Sequence, residues 1–413
     1  MSRLADYEPV VGGEVLDHLV QLARPLAGAR LLQVNSTRAG GGVAEILHRL
    51  VPLLRELGID ARWQVVEGDA DFYQVTKSFH NALQGDRIEV PQSHLDHYLE
   101  VNRGNAARLG PELAAADFVF VHDPQPAALL RFTPGRRGYW IWRCHIDVSR
   151  PARAVWKFLR ELVRPYDASV FSLAAFAQPL PHPQFLIAPS IDPLAEKNEE
   201  LRSTEVAEVA ASFGIDPSRP MILQVSRFDR FKDPIGVLRA YQAVRQHLPI
   251  QLVLAGGEAT DDPEGATVLA EVRAAAGDDP DVKILLLPAD AHRVVNALQR
   301  RAEIVVQKSL REGFGLTVTE ALWKKRPVIA GDTGGITLQV IPPHTGFLVH
   351  TPEGAALRIR YLLQNPDLAR EMGEKGRRHV RDNFLLTRHL REYLTLMLAL
   401  QRGGDGWIEL SGP

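Results

Sequence analysis

Two glutamates eight positions apart, Glu312 and Glu320, bracket a glycine turn in the stretch REGFGLTVTEAL (311–322), directly after the apolar run Ile304-Val305-Val306. The pattern predicts a buried strand, a glycine-rich turn and a helix. Glu312 then lies in the loop and Glu320 in the first turns of the helix, its side chain tilted back toward the helix start. Both carboxylates can reach one bound molecule. Carboxylates accept hydrogen bonds from hydroxyl groups, while backbone N–H groups of Gly313, Phe314, Gly315 and Leu316 can cradle a phosphate. A nucleotide sugar presents sugar hydroxyls, phosphates and ribose hydroxyls to match. Without the strand and the glycines, Glu320 would read as a surface helix residue.

Two more loops offer anion chemistry. In LQVSRFDRFKDP (223–234) an apolar strand releases Arg227 and Lys232 five residues apart, ahead of a helix starting near Pro234. Two such cations can bind a diphosphate through charge-assisted hydrogen bonds and stabilise it as a leaving group. The plainer alternative pairs them with Asp229 and Asp233. In NSTRAGGGVAEIL (35–47) a strand runs into Gly40, Gly41 and Gly42 before a helix, a geometry that lets backbone amides and the helix dipole hold a phosphate. The spacing is neither G-x-G-x-x-G nor a P-loop, so a dinucleotide fingerprint is absent and a ligand-free turn stays an alternative. VHDPQP (121–126) and WRCHIDVS (142–149) follow apolar strands and leave His122, Asp123, Arg143, His145 and Asp147 at strand ends, with Arg143 and His145 on one face. A histidine there serves equally well as a satisfied structural residue. No CxxC, HExxH or EF-hand pattern occurs, so no bound metal is expected.

The elements that must position these groups are short Val/Ile/Leu-rich runs alternating with segments of helical period, the signature of parallel α/β sheets. Strands are expected at 30–35, 61–66, 117–122, 139–145, 168–173 and 184–189, then at 221–226, 251–256, 282–287, 303–307 and 326–331. The expected fold is two doubly wound Rossmann-like domains, 1–195 and 215–384, with a boundary between about Asp192 and Arg219. Ligands of such folds sit at the carboxyl ends of the strands, here in a cleft between the domains. The 413 residues are 45% hydrophobic and 24% charged with a net charge of −2, a globular composition with no basic footprint for nucleic acid. A lone cysteine, Cys144, and the lack of a signal-like amino terminus or a long apolar span predict a cytoplasmic chain with no membrane partner.

Taken together, E312-G-F-G-L-T-V-T-E320 followed by R326-P-V-I-A and Gly334-Gly335, the Arg227…Lys232 pair and the triple-glycine loop resemble the family-4 retaining glycosyltransferases, which have the GT-B fold. Within that family NSTRAGGGVAEIL, FHNALQG (79–85), VHDPQP, WRCHID and PSIDPLAEKN are similar to the trehalose glycosyltransferring synthases. Lys308 stands where many members have proline, and Lys325 where a small residue is common. The resemblance implies transfer of glucose from UDP-, ADP- or GDP-glucose to free glucose, giving α,α-trehalose. Arg227 and Lys232 would hold the diphosphate, with Gly41 and Gly42 near it. Glu312 would hold the donor glucose and Glu320 the ribose, His145 would stand at the donor sugar, and Asp123 would serve the acceptor beside Arg143. It also implies that the carboxyl-terminal helix (385–413) packs back on the first domain, and that no cofactor is tightly bound. Stimulation by Mg²⁺, a homodimer and the preferred base stay open. So do two related reactions, a trehalose phosphorylase and a synthase with a phosphorylated acceptor bound by Lys77, Arg131, Arg136 or Arg137.

Overall fold

The computed structural model describes residues 3–38, 41–257 and 263–403, and the chain divides into two units. One holds the residues up to Pro189 and those from Leu386 on; the other is Ser190–Leu385. The first is built on six strands: β1 (Arg30–Asn35), β2 (Asp60–Val65), β3 (Phe118–His122), β4 (Tyr139–Arg143), β5 (Ala168–Phe171) and β6 (Gln184–Leu186). They pair in parallel in the order β2-β1-β3-β4-β5-β6. Continuous apolar runs form such strands because helices cover both faces, and every residue of β3 and β5 is buried. The core gathers Phe72, Phe79, Tyr98, Trp140 and Trp142. The strand order reverses at β1/β3, where the loops after neighbouring strands part and a doubly wound sheet opens a crevice.

Helix Leu386–Gln401 belongs to this unit although it closes the described chain. Tyr393 stacks on Phe120 with ring centroids 4.7 Å apart. Arg388 donates to the Ala188 and Pro189 carbonyls, each at 2.9 Å.

The second unit has β7 (Met221–Val225), β8 (Gln251–Gly257), β9 (Val282–Leu287), β10 (Ile304–Gln307), β11 (Val328–Gly331) and β12 (Gly346–Val349), all parallel, in the order β12-β11-β10-β7-β8-β9. Its order reverses at β7/β10, so the loops after these two strands flank the crevice. The four-residue β12 was not expected from the sequence. Residues 190–214, assigned by the sequence partly to the first domain and partly to a linker, lie in this unit. Their polar composition has a structural use: Asn296 donates to the carbonyls of Glu196 and Glu199, and Arg300 to the Glu200 carboxylate. No helix among the described residues is long and apolar enough to cross a membrane.

Candidate active site

At the β7/β10 reversal the turn after β7 presents Arg227 and Lys232. The Arg227 side chain is 65% exposed, with Nη2 3.3 Å from Asp229 Oδ2. Lys232 does not pair with Asp233: its Nζ lies 2.7 Å from Glu312 Oε2, and the Ser309 hydroxyl donates to the same oxygen at 3.1 Å. Asp233 is turned elsewhere because its φ is +49° and its carboxylate caps helix Pro234–Arg245, accepting from the Gly236 N–H at 3.0 Å. That carboxylate also takes an ion pair from the buried Lys308. The Lys232 backbone is clamped on both sides, its N–H by Asp229 Oδ1 at 3.0 Å and its carbonyl by Gln224 Nε2 at 2.8 Å. Its ammonium is thus delivered beside Glu312 by fixed main chain.

After β10 the loop carrying Glu312 is pressed against a second glycine segment. Gly315 has φ +84° and starts helix Leu316–Trp323. Gly334 has φ +51°, and a Cβ there would fall 1.7 Å from the Glu312 carbonyl oxygen; one on Gly335 would lie 2.7 Å from Phe314 Cα. Both segments must be glycine for the backbones to meet, and the Gly335 N–H donates to the Gly313 carbonyl at 3.2 Å. Gln339 ties down the Phe314 carbonyl at 2.6 Å. Glu320 is buried, with Oε1 3.5 Å from Lys197 Nζ and Oε2 without a hydrogen bond from any described residue. A buried carboxylate oxygen without a donor is costly, and a ligand hydroxyl would satisfy it. One turn on, Lys324 donates to Asn198 Oδ1 at 3.0 Å; burial pushes its pKa down to about 7 against the pull of Glu320. Within the protein, Glu312 meets Lys232 and Glu320 meets Lys197.

In the first unit the ends of β1, β3 and β4 carry a second cluster. Asp123 has φ +64°, and its Oδ1 accepts from the His145 N–H at 2.7 Å. Burial raises the Asp123 pKa to about 7, with that hydrogen bond and the Arg143 charge opposing. His122 is buried with Nε2 2.7 Å from Gln33 Oε1 and Nδ1 3.0 Å from His145 Nε2. Burial, helped by Arg143, holds His122 down at about 3, and His145 is lowered by the same causes. Arg143 is wholly buried beside Ser172 and Tyr393, its Nη2 3.4 Å from Ser172 Oγ, and its charge acts on Asp123 and the histidines. Gly41 takes φ +81° at the start of helix Gly42–Glu56, with nothing near a would-be Cβ; conformation, not crowding, calls for glycine there. Gly40 lies outside the described residues.

Residues 33–178 match the family described as trehalose synthase, N-terminal domain, and residues 206–379 match glycosyl transferases group 1. The chain is 45% identical over 403 residues to a trehalose synthase of Pyrococcus horikoshii, with 96% of each chain covered. It is 45% identical over 405 residues to one of Rubrobacter xylanophilus, with 97% of each covered. The chain belongs to the trehalose synthase family. It is a trehalose-related glycosyltransferase. The fold is shared with a UDP-forming α,α-trehalose-phosphate synthase from Burkholderia xenovorans at TM-score 0.73 and 18% identity, covering 90% of this chain and all of that one.

In this trehalose synthase family member, sequence reasoning missed Gln33, Lys197, Asn198 and Ser309. Ser309 stands in the same loop as Glu312, and Lys197-Asn198 interrupts the acidic run LAEKNEEL, a signal that could have marked them. Gln33, a polar residue inside the apolar strand RLLQVN, was a signal of the same kind.

Proposed function

We propose that the protein transfers glucose from a nucleoside-diphosphate glucose to free D-glucose with retention at the anomeric carbon, forming α,α-trehalose and the nucleoside diphosphate. The observation that carries this reading is the group at the β7/β10 reversal: an exposed Arg227 and the Lys232–Glu312 pair at 2.7 Å, with the buried Glu320 on the helix that follows. Lys232 has three N–H donors, so it can serve Glu312 and a phosphate oxygen together. Arg227 and Lys232 hold the diphosphate and stabilise it as it leaves, Glu312 takes donor-sugar hydroxyls and Glu320 the ribose. His145 and Asp123 serve the donor and acceptor sugars.

In this mechanism the bond from the anomeric carbon to the phosphate oxygen breaks while the acceptor's anomeric hydroxyl attacks from the same face. The hydroxyl proton passes to the departing phosphate, and no side chain need act as nucleophile. Catalysis then rests on alignment, which can supply roughly 7–11 kcal/mol, and on stabilising the developing charges.

Arg136, a candidate for an acceptor phosphate, pairs with Asp167 and donates to the Gly138 carbonyl at 3.2 Å. That places it just before β4 begins, at the strand end opposite to Asp123, and away from an acceptor held there. The test runs the reaction backward. Trehalose with UDP, ADP or GDP is expected to yield glucose and the sugar nucleotide, whereas trehalose with inorganic phosphate is expected to yield nothing. Glucose 1-phosphate in the second mixture would make the protein a phosphorylase instead.

A further inference from the structure

Three side chains carried on or just after neighbouring strands form a hydrogen-bond chain that finishes at the His145 ring. Gln33, wholly buried on β1, has Oε1 2.7 Å from His122 Nε2, and His122 Nδ1 lies 3.0 Å from His145 Nε2. The two imidazole planes are 15° apart, with centroids at 5.3 Å. Gln33 turns its oxygen to the ring and leaves its Nε2 without an acceptor among the described residues; with the amide so placed the oxygen accepts, His122 carries its proton on Nε2 and its Nδ1 is a bare acceptor. His145 must then donate from Nε2, and its own Nδ1 is left with a lone pair. Burial together with the Arg143 charge disfavours the cation of both rings. The His145 main chain is fixed by its N–H bond to Asp123, so the ring's direction is set as well as its proton.

We propose that Gln33 and His122 are positioning residues that lock His145 in the tautomer with an unprotonated Nδ1, so that the ring accepts a hydrogen bond from a hydroxyl of the transferred glucosyl unit. The proposal deepens, and rests on, the reading of His145 as a donor-sugar contact. Its chemical use is direct. As positive charge grows on the anomeric carbon, a lone pair aimed at the sugar stabilises it, whereas an N–H aimed there opposes it. The same arrangement selects a ligand group that can donate, as a hydroxyl does.

The test is nitrogen NMR of the full chain with labelled histidine, free of substrate, the His145 signals being assigned by their loss in His145→Gln. Nδ1 of His145 is expected as an unprotonated nitrogen and Nε2 as a protonated one. Gln33→Glu, which keeps an acceptor, preserves that pattern, and Gln33→Leu mixes the tautomers. The reverse pattern in the unmodified chain, or an unchanged pattern in Gln33→Leu, overturns the proposal; the unmodified chain decides even where a variant fails to fold. In glucosyl transfer Gln33→Leu is expected to lower kcat about tenfold, the size of one hydrogen bond, without raising KM for glucose, and Gln33→Glu to recover most of it. Mixed tautomers with unchanged kcat would show that His145 does not act on the sugar and would overturn the functional half. An unmodified chain inert toward sugar nucleotides contradicts the reaction itself, and because the ring pattern is read without substrate the two failures are separable.

Discussion

Glu312 and Glu320 are chemically identical and differently housed. Glu312 shares its carboxylate with an ammonium and a hydroxyl at a half-buried loop, while Glu320 is 2% exposed and keeps one oxygen without a donor among the described residues. Removing Glu312 frees Lys232 from its partner and is expected to cut kcat roughly 10²–10³-fold, with nucleotide affinity little changed. Glu320→Ala is expected to weaken binding of the nucleoside diphosphate by about 1–2 kcal/mol, read by calorimetric titration. Equal effects of the two on nucleotide affinity would contradict the division of labour. Arg227 has one carboxylate at 3.3 Å and a mostly exposed side chain. Arg227→Ala should therefore leave stability within about 0.5 kcal/mol while lowering kcat by roughly two to three orders of magnitude. A drop of several degrees in Tm would mark the arginine as structural. The candidate residues were legible because each follows an apolar strand, but their pairings were not. Lys232 meets Glu312 across 80 positions of chain, and the sequence offered the adjacent Asp233 as the nearer partner.

At the scale of elements, two glycine segments hold the Glu312 loop. Gly334→Ala must both adopt φ +51° and place a methyl 1.7 Å from the Glu312 carbonyl, so main chain has to move. It is expected to cost well over the ~1–2 kcal/mol of left-handed strain alone and to raise KM for the donor. Gly28→Ala supplies the control: its φ is +78° with open space around the added methyl, so it should cost about that strain and leave KM alone. Equal losses in the two would show that the contact with Glu312 is immaterial. Eleven of the strands were legible because strands of covered parallel sheets read as apolar runs, the edge strands β2, β6 and β9 being only partly buried. The twelfth, Gly346–Val349, is too short to stand out, although its first residue packs so closely that a Cβ would lie 2.2 Å from the Val328 carbonyl. Residues 190–214 were misread for the opposite reason. A polar stretch looks like a linker until the partners for its carbonyls and carboxylates, Asn296, Arg293 and Arg300, are placed beside it. Lys325 turns out to hold φ +62°, a conformation that suits the small residue common there in the resembling family.

Over the whole molecule, acid should act through the first unit, because Lys324 of the second unit is protonated in both the folded and unfolded chain below about pH 7. His122 and His389 are buried and His145 half-buried, all three with lowered pKa values, so below about 6.5 the unfolded chain takes up protons that the folded chain refuses, and stability is lost as pH falls toward 3. Asp123 works the other way: its folded pKa of about 7 lies above the unfolded value, so its penalty is present above 7 and is relieved as pH falls toward 4. Each such group contributes up to about 1.4 kcal/mol per pH unit, and three histidines outweigh one carboxyl. Thermal scans are expected to show a lower first-unit Tm at about pH 5.5 than at 7.5, and a flat or rising Tm on acidification would mean that the histidines are not held neutral. Glucosyl transfer to free glucose can be read in a single experiment, proton NMR of the protein with glucose and, in parallel, UDP-, ADP- and GDP-glucose. α,α-Trehalose and the free nucleoside diphosphate are expected from at least one donor. A β-linked product, or trehalose absent while every donor stays intact, would contradict the proposed reaction.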